Sequence, residues 1–318
     1  MVIHTSGDRP GDAGCDNGSP RKVGQRNICT SYPDTALLRT AATSLTISSM
    51  SLIQPVVAPE SWLAAAQPAK PPEALLRAAS RAIGEFRMIR PRDRILLGLS
   101  GGKDSLSLLH VLLALRLRSP VAFSVVVATI DPCIDGYDPS FLKDYVPPLG
   151  VHFTYVRQEI VERARRTMRG DSFCSYCARM RRGALYRVAR EQGCNVLALG
   201  QHLDDVAESF LMSAFHEGRL RTMRAHYVND AGDVRVIRPF VYVRERQLAD
   251  FARRAPLPAI RDNCPSCFSA PGERQYMKQL LAAEERRLPR LFPSLRQTLK
   301  PLLGEPPGED SQPLGAHR

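Results

Sequence analysis

The chain has 318 residues, 44% of them hydrophobic, and carries 44 Lys and Arg against 32 Asp and Glu, a formal charge of +12. That length accommodates one large α/β domain with extensions. No apolar run approaches the roughly 20 residues that cross a bilayer, and the polar, Gly- and Asp-rich first 30 residues lack the apolar core of a signal peptide. The basic excess suits a polyanionic partner such as a nucleic acid. Eight cysteines in a chain read as cytoplasmic speak against a disulfide framework and for metal or sulfur chemistry.

Residues 1–72 hold six Lys and Arg against five Asp and Glu, so the charge excess falls on the remainder. This stretch is poor in aromatics, rich in Ser, Thr, Ala, Gly and Pro, and ends in Gln67-Pro68-Ala69-Lys70-Pro71-Pro72. Such a composition buries little and predicts a disordered or linker-like extension. Its Ser/Thr-rich part, 35–57, has a transit-peptide character that Asp8, Asp12 and Asp16 oppose, and a start at Met50 would leave residues 1–49 untranslated. From Pro72 the pattern becomes globular. Residues 73–88 show helical apolar spacing at Leu75, Leu76, Ala79, Ile83 and Phe86.

An apolar strand is predicted at 94–99. It breaks at once into Ser100-Gly101-Gly102-Lys103-Asp104-Ser105, and a helical pattern follows over 104–117. Two glycines let the backbone turn tightly and approach a ligand. The helix behind them points free N–H groups and its positive end into the turn. Lys103 adds a full charge, and Ser100 and Ser105 add hydroxyls. This is a phosphate cradle at the ligand edge of an α/β sheet. It lacks the Walker A spacing, and an ordinary Gly-Gly turn needs neither the lysine nor two serines.

Further strands are predicted at 121–130, 151–156 and 195–200, and helices at 158–169, 178–192, 203–217 and 244–254, with a hairpin at 225–238 turning at residues 229–233. Strands alternating with helices imply a parallel sheet covered on both faces. Asp131, just after the strand at 121–130, joins the candidate nucleotide-binding residues. The folded domain is expected to span 73–300, with 301–318 as a flexible tail. The strand at 195–200 ends in Gly200-Gln201-His202-Leu203-Asp204-Asp205, where acidic side chains suit Mg²⁺ held with ATP phosphates. Read alone, Asp204 and Asp205 are helix N-terminal acids balancing the dipole.

Cys174-Ser175-Tyr176-Cys177 opens a basic helical segment, and Cys264-Pro265-Ser266-Cys267 begins 87 residues after Cys177. Zinc ribbons keep their pairs much closer. Ligands that meet on a folded scaffold also suit an iron–sulfur cluster, and a thioredoxin-like use of either pair is the weaker option. Cys15, Cys29, Cys133 and Cys194 lack partner spacing and are expected as free or buried thiols.

The Ser100–Ser105 loop resembles the pyrophosphate loop of the PP-loop ATPases. The order of that loop, Cys174-x-x-Cys177 with Arg181-Arg182, Leu199-Gly200-x-His202-x-Asp204-Asp205, Val236-Ile237-Arg238-Pro239 and Arg244-Glu245 resembles the tRNA 2-thiocytidine synthetases within that superfamily, over roughly residues 73–300. The lead-in Ala82–Ile89 is similar too. The thiouridine branch, with extra C-x-x-C modules at both ends, is a more distant match.

The resemblance implies an adenine nucleotide α-hydrolase-like fold: a parallel sheet flanked by helices. It implies ATP, Mg²⁺ and a [4Fe–4S] cluster held by three cysteines. Cys174 and Cys177 match the first pair. Cys267 fits the third through Cys267-Phe268-Ser269-Ala270-Pro271 followed by Arg274-Gln275, with Cys264 as the alternative; Phe268 and Ala270 depart from the family's Gly and Gln, and Gln201 from a more usual His. The reaction implied adenylylates the C2 oxygen of a cytidine, at position 32 of the anticodon loop, releases pyrophosphate, and displaces AMP with sulfur.

On this reading Lys103, Asp104 and Asp205 act at the reacting phosphates. Ser100, Gly101, Gly102, Lys103, Asp104, Ser105, Asp131, Gly200, His202 and Asp204 bind ATP. Arg181, Arg182 and Arg221, with Arg179, Arg219 and Arg224 beside them, contact tRNA. Expected partners are tRNA, a sulfur donor such as a cysteine desulfurase, and a second copy in a homodimer, with no membrane. The competing readings are a PP-loop enzyme acting on a small molecule, a tRNA thiouridine synthetase, and a non-catalytic zinc-bearing RNA-binding protein.

Overall fold

Val, Ile and Leu runs with a two-residue repeat build the centre of the molecule. In Arg94–Gly98 and the residue after it, Ile95, Leu97 and Leu99 face one core while Leu96 faces the other, all of them buried. A strand buried on both faces reads as a continuous apolar run. The structure is a computed structural model and describes residues 54–56, 67–168, 173–260 and 272–304. The chain divides into two units: Met1–Ser48, which lies outside the described residues, and Ser49–Arg318, which holds the sheet.

Seven strands form that sheet: β1 (Gln54–Val56), β2 (Arg94–Gly98), β3 (Ser124–Asp131), β4 (His152–Arg157), β5 (Val196–Ala198), β6 (His226–Val228) and β7 (Arg235–Ile237). Their order is β1-β4-β3-β2-β5-β7-β6. The five inner strands run parallel, while β1 and β6 pair antiparallel at the two edges. The sheet is therefore mixed rather than wholly parallel. At one edge the cause is the short hairpin β6–β7, which reverses direction by construction; at the other it is three residues of the extension read as linker-like.

One face is covered by α1 (Glu73–Glu85), α2 (Lys103–Arg118), α6 (Leu203–Glu217), α7 (Glu245–Arg254), α8 (Glu273–Arg287) and α9 (Leu291–Leu303), and the other mainly by α5 (Phe173–Glu191). The short α3 (Leu142–Tyr145) and α4 (Ile160–Thr167) complete the described helices. Three of these were not predicted. Met277 and Leu281 on α8, and Phe292, Leu299 and Leu303 on α9, are buried at helical spacing, so the amphipathic signal is present but sparse. The last helix runs to Leu303, into the segment expected to be tail.

α5 starts at Phe173 rather than 178, which puts Cys174 and Cys177 in its first turn. Cys, Ser and Tyr are weak helix formers, but packing of Cys177, Ala184, Leu185 and Val188 against the core overrides that preference. No described helix is long and apolar enough to cross a membrane.

Candidate active site

Strands β2 and β5 are neighbours, yet the chain runs from β2 outward to β3 and β4 before returning to β5. A cleft opens at such a switch point, at the carboxyl ends of the strands. The loop Ser100–Gly102 leaves β2 there, and Gly200 follows β5. The two approach so closely that a Cβ on Gly200 would sit 3.2 Å from the Ser105 backbone nitrogen. Gly101 has φ +79, and its Cβ would lie 2.7 Å from Ile260 Cδ1, whose N–H bonds the Gly101 carbonyl at 2.9 Å. Gly101 is thus demanded by its backbone conformation, and Gly200 is favoured by the close approach of the two loops.

The loop is held by its own serines. Ser105 Oγ accepts the Ser100 N–H at 3.2 Å and donates to the Gly102 carbonyl at 3.0 Å, and the two hydroxyls lie 3.1 Å apart. Tyr137 fastens the loop from outside, donating its hydroxyl to the Ser100 carbonyl at 2.6 Å.

Lys103 Nζ meets Glu245 Oε1 at 2.9 Å and Asp104 Oδ2 at 3.2 Å. Burial opposes its charge, but attraction to Asp104 and Glu245 prevails and holds the ammonium above the usual lysine range. Glu245 in turn meets Lys278 at 2.8 Å. Burial alone would raise its carboxyl, yet the hydrogen bonds from Lys278 and Lys103 pull it down to about 2. Burial dominates at Asp104, keeping its carboxyl above the ordinary range despite His202 and Lys103. Its Oδ1 is buried with no hydrogen-bond partner among the described residues.

His202 caps α6: its Nδ1 accepts the Asp205 N–H at 3.3 Å, and Asp205 Oδ2 accepts the His202 N–H at 3.0 Å. The two adjacent acids divide there. Asp205 faces the loop side, with Arg274 Nη1 3.4 Å from its Oδ1. Asp204 turns to the next helix: its Oδ2 takes the Glu245 N–H at 2.7 Å and its Oδ1 takes Arg244 at 3.1 Å. Asp131 reaches the same edge with both oxygens engaged within the fold, by Tyr155 Oη at 2.8 Å and the Cys133 N–H at 2.9 Å.

One turn along α6, Glu208 is buried, and burial together with the Asp205 charge raises its carboxyl to about 7. Glu208, Glu245 and Lys278 line a cavity of about 350 Å³ between α6, α7 and α8. Glu208, Lys278 and Tyr137 were not singled out in the sequence. Glu208 had a signal, four residues after Asp204 on one helix face; Tyr137 and Lys278 had none.

Cys177 is buried with Ile134 and Ile160, and Tyr137, Tyr176 and Met180 pack around it. Cys174 lies three residues earlier in the same helical turn. Cys264 and Cys267 lie outside the described residues. Among the arginines expected to contact RNA, Arg181 turns inward, 5.8 Å above the Tyr137 ring with Nη2 3.5 Å from its hydroxyl. Arg182 reaches Tyr227, where it joins the Tyr186 hydroxyl and the Arg238 charge in lowering that phenol against the effect of burial. Arg221 pairs with Glu217.

The donors fit the groups the sequence implied. Among the described residues no three His, Cys, Asp or Glu side chains converge as a complete metal site, but Mg²⁺ needs only one or two carboxylates beside nucleotide phosphates. The orphaned Asp104 Oδ1 is such a donor. A buried thiol in an apolar shell, one turn from a second cysteine, suits a thiolate-held cluster.

Residues 75–278 match the model of a PP-loop domain family. Over 222 residues the chain is 43% identical to a tRNA-cytidine(32) 2-sulfurtransferase of Pelobacter propionicus, covering 69% of this chain and 82% of that one. It is 42% identical to its counterpart in Geobacter sulfurreducens, covering 69% and 86%. Among solved structures, the U34-tRNA thiolase NcsA of Methanococcus maripaludis, determined with its [4Fe–4S] cluster, superposes with a TM-score of 0.58 at 24% identity, covering 75% of this chain and 82% of that one. That last likeness establishes the fold.

Proposed function

The chain belongs to the PP-loop domain family, among its tRNA-cytidine 2-sulfurtransferases, and from that premise we propose that it replaces the C2 oxygen of cytidine 32 in tRNA with sulfur at the expense of ATP. The observation that carries the reading is Tyr137. Its hydroxyl holds the phosphate loop at Ser100 while its ring packs in the shell around Cys177, so one side chain joins a nucleotide-activating half to a sulfur-carrying half.

ATP lies with its phosphates on the Ser100–Ser105 amides and the N-terminus of α2. The cytidine C2 oxygen attacks the α-phosphorus, and pyrophosphate leaves with the electrons of the broken P–O bond. Lys103 balances charge developing on the phosphates, and Asp104 and Asp205 are the carboxylates for Mg²⁺. Adenylylation turns a poor leaving group into AMP, which a sulfur nucleophile at C2 then displaces. Cys174 and Cys177, with Cys267 or Cys264, would hold the [4Fe–4S] cluster, which would supply an iron to carry the sulfur to be transferred. An unpaired anticodon-loop base reaches such a site without breaking a helix. Arg182 and Arg221 lie on the RNA side, whereas Arg181 serves Tyr137. The sulfur donor is a protein of the cysteine desulfurase class, the enzyme works in the cytoplasm, and a homodimer is its expected assembly.

The test is a Cys177→Ala variant purified without oxygen beside the wild type. Wild-type protein is brown with about four irons per chain and forms 2-thiocytidine in tRNA, read by nucleoside mass spectrometry. The variant loses iron and thiolation but binds ATP as before. Thiolation that persists in the variant, or a colourless wild type with stoichiometric zinc, overturns the assignment.

A further inference from the structure

A second cavity lies away from the phosphate loop. A groove of about 1100 Å³ runs between α1, the end of α2 and Tyr242, on a flank that the reaction does not use. Its lining carries five arginines, Arg77, Arg81, Arg87, Arg118 and Arg296, against a single acid, Glu73. Arg118 holds that acid at 2.6 Å, and the nearby Glu85 is taken by Lys300 at 2.5 Å. Arg77 shares Glu73 with Arg118, and Arg81 shares Glu85 with Lys300, so the groove keeps a clear excess of positive charge. Arg77 and Arg81 stand four residues apart on exposed positions of α1, each with a glutamate one turn away along the helix, Glu73 and Glu85. Two glutamates against five arginines and Lys300 leave a net positive groove, which suits a polyanion.

The wall is also rigid. Arg87 sits at φ +48 and Arg92 at φ +67 in the turn between α1 and β2, a conformation side chains rarely adopt. The turn is pinned from beneath. Arg235 Nη1 donates to the Met88 carbonyl at 3.2 Å, and the buried Asp93 accepts from Arg235, from Asn195 at 2.8 Å and from the Arg90 N–H at 2.7 Å. Charged side chains on a fixed backbone lose less freedom on binding.

The lining includes Tyr242, next to Val243, whose carbonyl takes the Leu203 N–H at 2.9 Å beside His202. It also includes Ser119, Pro120, Val121 and Phe123, just ahead of β3. Eight residues of β3 at ~3.3 Å each separate these from the carboxyl edge, about 25 Å.

We propose that this groove docks the phosphate backbone of the substrate RNA, so that a stem lies along the flank with its loop at the phosphate cradle; the inference rests on the tRNA reading above. Contacts of this kind position a nucleic acid without reading its sequence.

The test measures binding of an unmodified tRNA transcript between 50 and 200 mM salt, using the full chain. Arg77→Glu/Arg81→Glu is expected to bind at least tenfold more weakly. Its plot of log affinity against log salt should be shallower by about 1.4 to 1.8, at ~0.7 to ~0.9 per lost phosphate contact. KM for tRNA rises in step, while KM for ATP and kcat are unchanged. Arg77→Gln/Arg81→Gln shifts the same way by less, and the control Arg253→Glu/Arg254→Glu on α7 leaves binding intact. A reversal that binds with wild-type affinity and slope, or a control that loses as much, overturns the groove assignment alone, and would point to an acidic protein or to no ligand there. Wild-type protein that binds no tRNA overturns the functional reading with it.

Discussion

Replacing Glu208 with Gln should make the protein more stable at pH 8 and leave it unchanged near pH 4. Glu208 is 4% exposed. Burial and the Asp205 charge raise its carboxyl, Arg274 and Lys278 offset part of this, and Glu245 adds to the rise, for a value of about 7. Between pH 4.5 and 7 the unfolded chain has released this proton while the folded protein keeps it. The unfolded state then binds fewer protons, and stability falls as pH climbs through that window. Going from an ordinary 4.5 to about 7 at about 1.4 kcal/mol per pH unit costs about 3 kcal/mol, fully present above pH 7. The amide of Gln does not titrate and keeps the shape. Urea unfolding followed by circular dichroism, at steps from pH 4 to pH 8, gives the difference between the two proteins. That difference should open from near zero to about 3 kcal/mol in favour of Gln. Parallel stability curves, or a wild type that gains on the variant as pH rises, refute the claim that this carboxyl is held neutral by burial.

Two further outcomes follow from the loop. Tyr137→Phe removes the donor to the Ser100 carbonyl and spares the ring packing, a loss of about 1–3 kcal/mol for an unsatisfied group. Calorimetry should show ATP binding about tenfold weaker with iron content unchanged, and unaltered ATP affinity would mean Tyr137 does not shape the loop. Gly101→Ala forces a Cβ to 2.7 Å from Ile260 Cδ1 at φ +79. Thermal unfolding should report a loss of about 1–3 kcal/mol together with abolished ATP binding; wild-type behaviour in both would contradict the geometry.

What could be read ahead of the structure was what is local in the chain. The phosphate loop is strand, turn and helix within about a dozen residues, so its glycines, lysine and serines announce themselves. The inner strands are legible for the same reason, since their apolar runs need no partner to be recognised. The clamp on Lys103 was not legible, because Glu245 lies 142 positions away and only the return of α7 to the cleft brings it near. Tyr137 was hidden likewise: a tyrosine in a loop says nothing until the loop folds over Ser100.

The acidic pair shows how far a motif alone can carry an argument. Asp204-Asp205 admits two readings, a pair of metal-facing carboxylates or a pair of helix-capping acids, and spacing cannot choose between them. In the structure Asp205 is the acid that caps α6, and Asp204 does neither job. Asp204 spends both oxygens on Arg244 and the Glu245 N–H, tying α6 to the start of α7. That tie places Glu245 against Lys103. Asp205, whose Oδ2 bonds the His202 N–H, remains beside Asp104 at the mouth of the loop. A contribution of Asp204 to ATP chemistry through these contacts would be indirect. It would pass through the position of Glu245, so Asp204→Asn should weaken the hold on Lys103, read as weaker ATP binding by calorimetry.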